Sequence, residues 1–418
     1  MNLKIAIIVI CQLVYFTQGD TVPSKPLSVD YQAEFSWDLY KKLYPEFRRN
    51  MVISPYSLRK IFVCLHQLTD AKDPATTKFS KQLHKVFKFN PTGQLPDLVR
   101  RRYENQREAY AQDQGLNTTT LAVVLGRKKK TTHALNNLPK SCGIFARSLK
   151  SGSPKQMTRS LNAAMKNISN GAAQSFLSES DLNRDWDFFV ADSWLFKGFW
   201  RYQFEEEYTT TCNFYTNAKK KGLMRFMYLE EMLRVGHFPQ WNVRAVELPL
   251  HRESPFSCVL MMPVAADIEE LIESLSHKRF KEIYDNMSAS KTTVRLPQFR
   301  LRMKLSAKSM LEQLGFDTAF KESVFRVFEK DGAIPLGDAI QKMDLSMAHE
   351  GEDLAKTYVD RSLGQQFTAH QPFMFVIFDR KELVPIIVGN VVAAITPKDV
   401  GPQSDEKLCD NPPRFNGR

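Results

Sequence analysis

Apolar residues recur at helical spacing in three segments of the chain. One apolar face is formed by Phe35, Leu39 and Leu43, another by Leu58, Ile61, Phe62 and Leu65, and a third by Met310, Leu311 and Leu314. This spacing predicts amphipathic helices, each with one buried face. Ser54 and Pro55 begin the second segment, so we expect Ser54 to cap the open backbone N–H groups and Pro55 to take the first helical position. Ser306 opens the third segment, and Gly315 is placed to end it.

Strands are predicted chiefly in the second half of the chain. The pattern indicates strands at 188–191, 243–250, 258–262, 373–378 and 386–394. Residues 373–378 and 386–388 are almost entirely apolar, which predicts that both faces of those strands are covered. The order of these elements predicts an α+β fold: helices come first, interleaved strands and helices follow, and a pair of buried strands ends the domain.

The first 19 residues decide the compartment. Lys4 precedes an apolar run at 5–16, and Thr17, Gln18 and Gly19 then provide the short residues of a cleavage site. This arrangement is typical of a secretory signal peptide. A membrane anchor is the alternative, but about twelve apolar residues are too few to span a bilayer. We therefore expect a secreted, extracellular protein without a membrane span.

Length, composition and charge indicate the domain organisation and the class of partner. The 418 residues are 43% hydrophobic, which is enough for a full core. We find no internal repeat or long linker, and so predict a signal peptide at 1–19, one domain at 20–397 and a polar tail at 398–418. The net charge of +12 admits an acidic partner. In the extracellular space that partner would be a glycosaminoglycan rather than nucleic acid.

The cysteines leave the disulfide pattern open. Removal of Cys11 with the signal leaves an odd number, which cannot pair completely. Cys64 and Cys258 lie in apolar runs, which predicts buried free thiols. One disulfide can form among the remaining three, and none of their spacings resembles a zinc site: Cys142, Cys212 and Cys409.

Three N-x-S/T sequons accompany the predicted secretion. They place candidate glycosylation sites at Asn117, Asn167 and Asn286. We find no phosphate-binding glycine loop, no zinc-protease motif and no nucleophile motif, so nothing in the sequence indicates an enzyme, a metal or a cofactor.

Six motifs in order resemble the serpins, from about residue 35 to about residue 397. They are N-x-x-x-S-P-x-S at 50–57, the segment around F-K-G-x-W at 192–200, V-E-L-P at 246–249, L-P-x-F at 296–299, F-x-A-x-x-P-F at 367–373 and G-N-V-V at 389–392. The resemblance implies a single domain of three β-sheets with several helices, most of whose members inhibit serine proteases.

The resemblance also implies an exposed bait loop from Glu352 to Gln366. In inhibitory members a protease cleaves this loop, and its N-terminal arm inserts as a new central strand of a sheet. Similarity to Arg-Ser baits marks Arg361 and Ser362 as the cleaved bond, which a trypsin-like protease would accept. The arm from Gly351 is about four residues short, a deficit of roughly 13 Å at about 3.3 Å per extended residue.

Inhibitory members have small residues in the hinge of this arm, whereas this chain has charged ones. The hinge comprises Glu350, Gly351, Glu352 and Lys356. Alternate residues face the core when a strand inserts, which would bury Glu352 and Lys356. Burying unpaired charges costs on the order of several kcal/mol. We therefore expect insertion to be opposed.

The residues of the family's sheet-opening region also depart from its pattern. They are Ser54, Ser57, Asp192, Trp200 and Gln341. Asp192 and Gln341 stand where the family has Asn and His, and we expect them to share a hydrogen bond that holds the sheet closed. Relaxed function is the alternative. Trp200 is expected to be a packed core aromatic near the entry point of the loop.

Two functions follow from these features. The main hypothesis is a secreted, monomeric serpin that does not trap proteases and acts as a regulator or binding protein. The alternative is an inhibitor of an extracellular trypsin-like serine protease with the bait bond Arg361-Ser362. Arg100, Arg101 and Arg107, on a predicted helix at about 95–112, are the candidate glycosaminoglycan site, with ordinary solvated surface as the competing interpretation.

Overall fold

The structure is a computed structural model. It describes residues 29–88, 103, 105–106, 110, 113, 115–126, 129–150, 152–183, 185–265, 267–352, 354, 364–396, 403–404 and 409.

The helices within the described residues lie mostly in the first half of the chain and between strands. They are α1 (Val29–Phe47), α2 (Pro55–Leu65), α3 (Pro74–Phe87), α4 (His133–Cys142), α5 (Pro154–Ile168), α6 (Ile268–Ser274), α7 (His277–Asp285), α8 (Ala307–Gln313) and α9 (Thr318–Lys321). The Ser54 side chain caps α2 by accepting from the Ser57 N–H, with Pro55 in the first turn. Ser306 caps α8 in the same way, and Gly315 follows it in the left-handed region at φ +78°. The three predicted helices are confirmed.

Fourteen strands are described. They are β1 (Met51–Ile53), β2 (Leu116–Leu125), β3 (Ile144–Leu149), β4 (Phe188–Lys197), β5 (Glu205–Tyr215), β6 (Lys221–Phe238), β7 (Val243–Pro249), β8 (Phe256–Met262), β9 (Ser288–Pro297), β10 (Phe299–Ser306), β11 (Ala339–Met347), β12 (Gln365–Thr368), β13 (Phe373–Asp379) and β14 (Val384–Val391). Every residue of β13 and β14 is buried, as their apolar runs predict. β14 ends at Val391, three residues before the predicted end.

One sheet has five strands in the order β10-β11-β4-β2-β3. At its centre β11 lies parallel to β4 and pairs with it directly, from Ala339 opposite Val190 to Ser346 opposite Lys197. The resemblance implies that an inserting arm would enter between these two strands. In this structure the β4–β11 seam, defined by these eight residue pairs, is closed.

The other sheet has nine strands, in the order β1-β14-β13-β8-β7-β6-β9-β12, with β5 added on β6. Strand β6 is 18 residues long. Its start pairs with β5 and its end with β7. One continuous strand therefore joins two of the three sheets expected from the resemblance. The α+β prediction is confirmed.

The described cysteines form two disulfides. Cys64 at the end of α2 bonds to Cys142 at the end of α4, and Cys212 on β5 bonds to Cys409 in the tail. The prediction of a free thiol at Cys64 is wrong, because α4 packs against α2 and brings Cys142 to it. Cys258 is a buried free thiol, as predicted, and burial raises its pKa well above the usual value.

Candidate functional site

The predicted sheet-opening residues meet at the middle of the β4–β11 seam. Asp192 and Gln341 are partners in the strand register. The Gln341 Nε2 donates to Asp192 Oδ2 at 3.0 Å and to the Ser54 carbonyl at 3.1 Å. The Ser54 N–H donates to Gln341 Oε1 at 2.9 Å. One amide side chain therefore ties both strands of the seam to the start of α2.

Further hydrogen bonds complete this cluster. Asp192 Oδ1 accepts from the Thr120 hydroxyl at 2.8 Å, which links it to β2. The Ser54 hydroxyl donates to the Ile386 carbonyl at 2.8 Å, which links α2 to β14. Ser57 donates its N–H to Ser54 Oγ at 3.3 Å and is fully buried. Separating β4 from β11 would break the hydrogen bond between Gln341 and Asp192, whose side chains are both fully buried.

Asp192 is a buried carboxyl at the centre of the seam, with no solvent exposure. Burial raises the pKa of Asp192, and the Lys60 charge and the hydrogen-bond donors around it offset only part of that effect. The pKa of this group therefore lies above the usual value for Asp. Proton binding and the closure of the seam are linked at this residue.

The hinge leaves the five-stranded sheet immediately after β11 and pairs with the segment that follows β4. The Trp200 N–H donates to the Glu350 carbonyl at 3.0 Å, and the Glu352 N–H donates to the Trp200 carbonyl at 2.9 Å. The Trp200 Nε1 donates to the Ala348 carbonyl at 2.8 Å. Trp200 is 1% exposed, as expected for a packed aromatic.

Gly351 is required by this close pairing. A Cβ atom at this position would lie 2.8 Å from the Gln203 Cα and 2.9 Å from the Trp200 carbonyl oxygen, both of which are backbone atoms. Any larger residue would push the hinge away from Trp200. The glycine thus fixes the point at which the arm departs from the sheet.

Glu352 is held in place by an ion pair outside the sheet. The Arg201 Nη1 lies 2.5 Å from Glu352 Oε2, and the Arg252 N–H donates to Glu352 Oε1 at 3.2 Å. Burial raises the pKa of Glu352, but the Arg252 amide and the Arg201 guanidinium more than offset it and hold the pKa below its usual value. Its neighbour Glu350 lies 3.4 Å from the Lys197 Nζ.

The contact between Arg201 and Glu352 was missed by sequence reasoning. The two residues are 151 positions apart, so no local pattern joins them. The signal that could have found it is the position of Arg201 directly after Trp200, the residue assigned to the entry point of the loop. Arg201 is positively charged and lies next to the entry point, where it can pair with Glu352, which replaces a small residue of inhibitory members.

Several predicted site residues lie outside the described residues. These are Arg361 and Ser362 of the bait, Lys356 of the hinge, and the cluster of Arg100, Arg101 and Arg107. The loop itself is shorter than the sequence indicates, because β12 already begins at Gln365, two residues before Phe367.

The three candidate glycosylation sites differ in their surroundings. Asn167 in the last turn of α5 and Asn286 after α7 are exposed, whereas Asn117 on β2 is half-buried. Among the described residues no cluster of His, Cys, Asp and Glu could hold a metal ion. None of the helices in the described part of the chain is long and apolar enough to cross a membrane.

The closed five-stranded sheet, its β4–β11 seam and the hinge that leaves it after β11 point to the class of this protein. Residues 30–394 match the family model described as Serpin (serine protease inhibitor), and the chain belongs to the serpin family. It is therefore a member of a family of protease inhibitors and not of enzymes.

Individual relatives show how far the likeness extends. The FXa-directed anticoagulant of Aedes aegypti is 63% identical over 415 residues, which cover 99% of this chain and 100% of that protein. The structure of SRPN18 from Anopheles gambiae aligns with a TM-score of 0.76 and 18% identity, over 88% of this chain and 99% of that one. Native protease nexin-1 with heparin aligns with a TM-score of 0.78 and 18% identity, over 88% and 100%.

Proposed function

We propose that this protein is a secreted inhibitor of a trypsin-like serine protease of the factor Xa class. The observation that carries the proposal is the 63% identity, over nearly the full length of both chains, with a protein named for factor Xa. The matched length, 99% of this chain, includes the hinge, the loop and most or all of the tail. The predicted signal peptide supports an extracellular target.

The contact with the protease is assigned to Arg361 and Ser362. They lie in the short stretch between Leu354 and Gly364, where the chain passes from the hinge to β12. An Arg side chain matches the acidic specificity pocket of a trypsin-like protease, where its guanidinium can form a bidentate ion pair.

A chromogenic assay with factor Xa, thrombin and trypsin tests this function. We expect inhibition of factor Xa, and we expect Arg361→Ala to weaken it roughly 30-fold or more, as loss of a central interface anchor does. Arg147→Ala, an exposed residue on β3, is the matched control and should inhibit like the parent. Absence of inhibition across all three proteases would refute the proposal.

A second proposal concerns the mode of inhibition, which we infer to be occupation of the protease without trapping. The observation that favours it is the ion pair of Glu352 with Arg201 outside the sheet. Insertion would break this pair and turn Glu352 toward the core. The hydrogen-bonded seam of Asp192 and Gln341 opposes the same movement.

An SDS gel of the protein after incubation with factor Xa separates the two modes. Occupation without trapping gives free protease together with intact or cleaved protein. A covalent complex that survives SDS would refute this mode of inhibition. The proposal that factor Xa is the target would still stand.

A further inference from the structure

Strand β5 is an edge strand of the nine-stranded sheet. Its inner side pairs with β6, from Thr210 opposite Phe226 to Tyr215 opposite Lys221. Successive residues of an antiparallel strand direct their N–H and C=O groups to opposite sides. Thr211, Asn213 and Tyr215 therefore present theirs to the outer edge. The Tyr215 N–H already donates to the His370 carbonyl at 2.8 Å.

Glu205, Glu206 and Glu207 charge the first part of this edge, whereas the sequence of the second part favours pairing with another strand. Residues 209–215 read T-T-T-C-N-F-Y, with no charge, no Pro and no Gly. β-branched and aromatic residues without charge are the composition of strands that add a neighbour when their edge is open. An open edge here would be a liability in a secreted protein.

The described residues of the C-terminal tail cover this edge at Thr211. The Ser404 N–H donates to the Thr211 carbonyl at 2.8 Å, and the Thr211 N–H donates to the Ser404 hydroxyl at 2.9 Å. The neighbouring Cys212 carries the disulfide to Cys409, with 5.6 Å between the two Cα atoms. Both outward backbone groups of Thr211 are thus occupied by the tail.

We propose that the disulfide-held tail is an edge cap that prevents a second copy of this chain from pairing with β5. Two hydrogen bonds alone do not offset the entropy lost when the tail is ordered on the edge. The Cys212–Cys409 bond removes most of that cost, because it keeps the tail at a high effective concentration beside Thr211.

A second copy is the occupant that fits the uncovered edge. Two β5 strands can pair antiparallel about Thr211, which generates a closed two-fold dimer with the same patch on both subunits. The cap lies beyond residue 394, where the match to the family model ends. It is therefore an addition to the shared domain, placed at the centre of the self-complementary edge.

The test uses full-length variants without either disulfide. Cys212→Ser with Cys409→Ser should expose the edge, give a concentration-dependent dimer in light scattering, and speed amide exchange at Thr211 at least tenfold. The matched control, Cys64→Ser with Cys142→Ser, leaves the tail attached and should stay monomeric. Adding Thr211→Pro to the first variant removes the pairing N–H and should restore the monomer.

Selective reduction of the folded parent protein covers the case in which the variant does not fold. Mild reduction and alkylation, with mass spectrometry to identify the opened disulfide, should produce the same dimer when Cys212 and Cys409 are alkylated. A monomer with unchanged protection at Thr211 after opening of this bond would overturn the proposal. So would a dimer that persists with Thr211→Pro.

Discussion

Replacement of Gln341 by Leu tests whether one side-chain amide holds the β4–β11 seam. The substitution removes the acceptor of the Ser54 N–H at 2.9 Å and the donors to the Ser54 carbonyl at 3.1 Å and to the Asp192 carboxyl at 3.0 Å. Leu is similar in volume, so the contribution from a cavity is small. The loss of stability then measures the polar contacts.

The expected magnitude follows from the groups left without partners. The Ser54 carbonyl keeps the Leu58 N–H at 3.4 Å, and Asp192 keeps the Thr120 hydroxyl. The buried Ser54 N–H loses its partner at a cost of about 1–3 kcal/mol, and the lost hydrogen bond to the carboxyl costs about 1.5–3 kcal/mol. We expect the free energy of unfolding to fall by about 3–5 kcal/mol, from a typical total of about 5–15 kcal/mol.

Urea unfolding at pH 7, followed by tryptophan fluorescence and circular dichroism, measures this change. Ser346→Ala on the same strand is the matched control, and it should alter the free energy of unfolding by less than about 0.5 kcal/mol. A loss below about 1 kcal/mol for Gln341→Leu would show that the seam is not held by this amide.

Three further predictions follow from the structure. Because burial raises the pKa of Asp192, the stability that this group contributes is present at acid pH and is lost as pH rises from about 4 through the raised pKa. The urea midpoint of Asp192→Asn should therefore be higher than that of the parent at pH 7, and the difference between the two midpoints should shrink toward pH 4. A difference that does not change with pH would contradict this. Replacing Cys64 and Cys142 by Ser removes a disulfide that closes a loop of 78 residues, and should lower the free energy of unfolding in urea by about 2–4 kcal/mol. An unchanged urea midpoint would contradict a stabilising role for this disulfide. Asn167→Gln and Asn286→Gln should each lose one enzymatically removable glycan from protein secreted by eukaryotic cells, as read by mass spectrometry, whereas the parent mass in either variant would count against that site.

Local signals account for the parts of the fold that sequence could predict. Ser54 and Ser306 cap helices because a side-chain oxygen at that position satisfies N–H groups only one turn away. The runs at 373–378 and 386–388 predict strands covered on both faces because both sets of alternating side chains are apolar, and every residue of β13 and β14 is buried. The shared hydrogen bond of Asp192 and Gln341 was expected from the family pattern, and the structure contains it.

Contacts between distant segments account for the parts that sequence could not predict. An apolar run around Cys64 indicates burial, but a buried thiol and a buried disulfide have the same surroundings in sequence. Only the packing of α4 on α2 brings Cys142 within reach. In the same way, the sequence predicts that the charge of Glu352 opposes insertion, but only the folded chain brings its partner Arg201 to it.

The position of the arm also needed the structure. Alternation along the hinge predicts which residues would face inward after insertion, but it does not say where they lie before it. The bridge between Trp200 and Gly351 and the ion pair of Glu352 place the start of the arm outside the sheet. The serpin fold is thus combined with a hinge that, under the proposed mode of inhibition, resists the movement most inhibitors use.

The resistance of the hinge to insertion is tested most directly by the melting temperature of the protein before and after cleavage of its loop. Trypsin cleavage near Arg361 frees the arm, and insertion between β4 and β11 would add a strand hydrogen-bonded on both sides. We predict that the intact and cleaved proteins melt within a few degrees of each other. A sharp rise in melting temperature after cleavage would contradict the account.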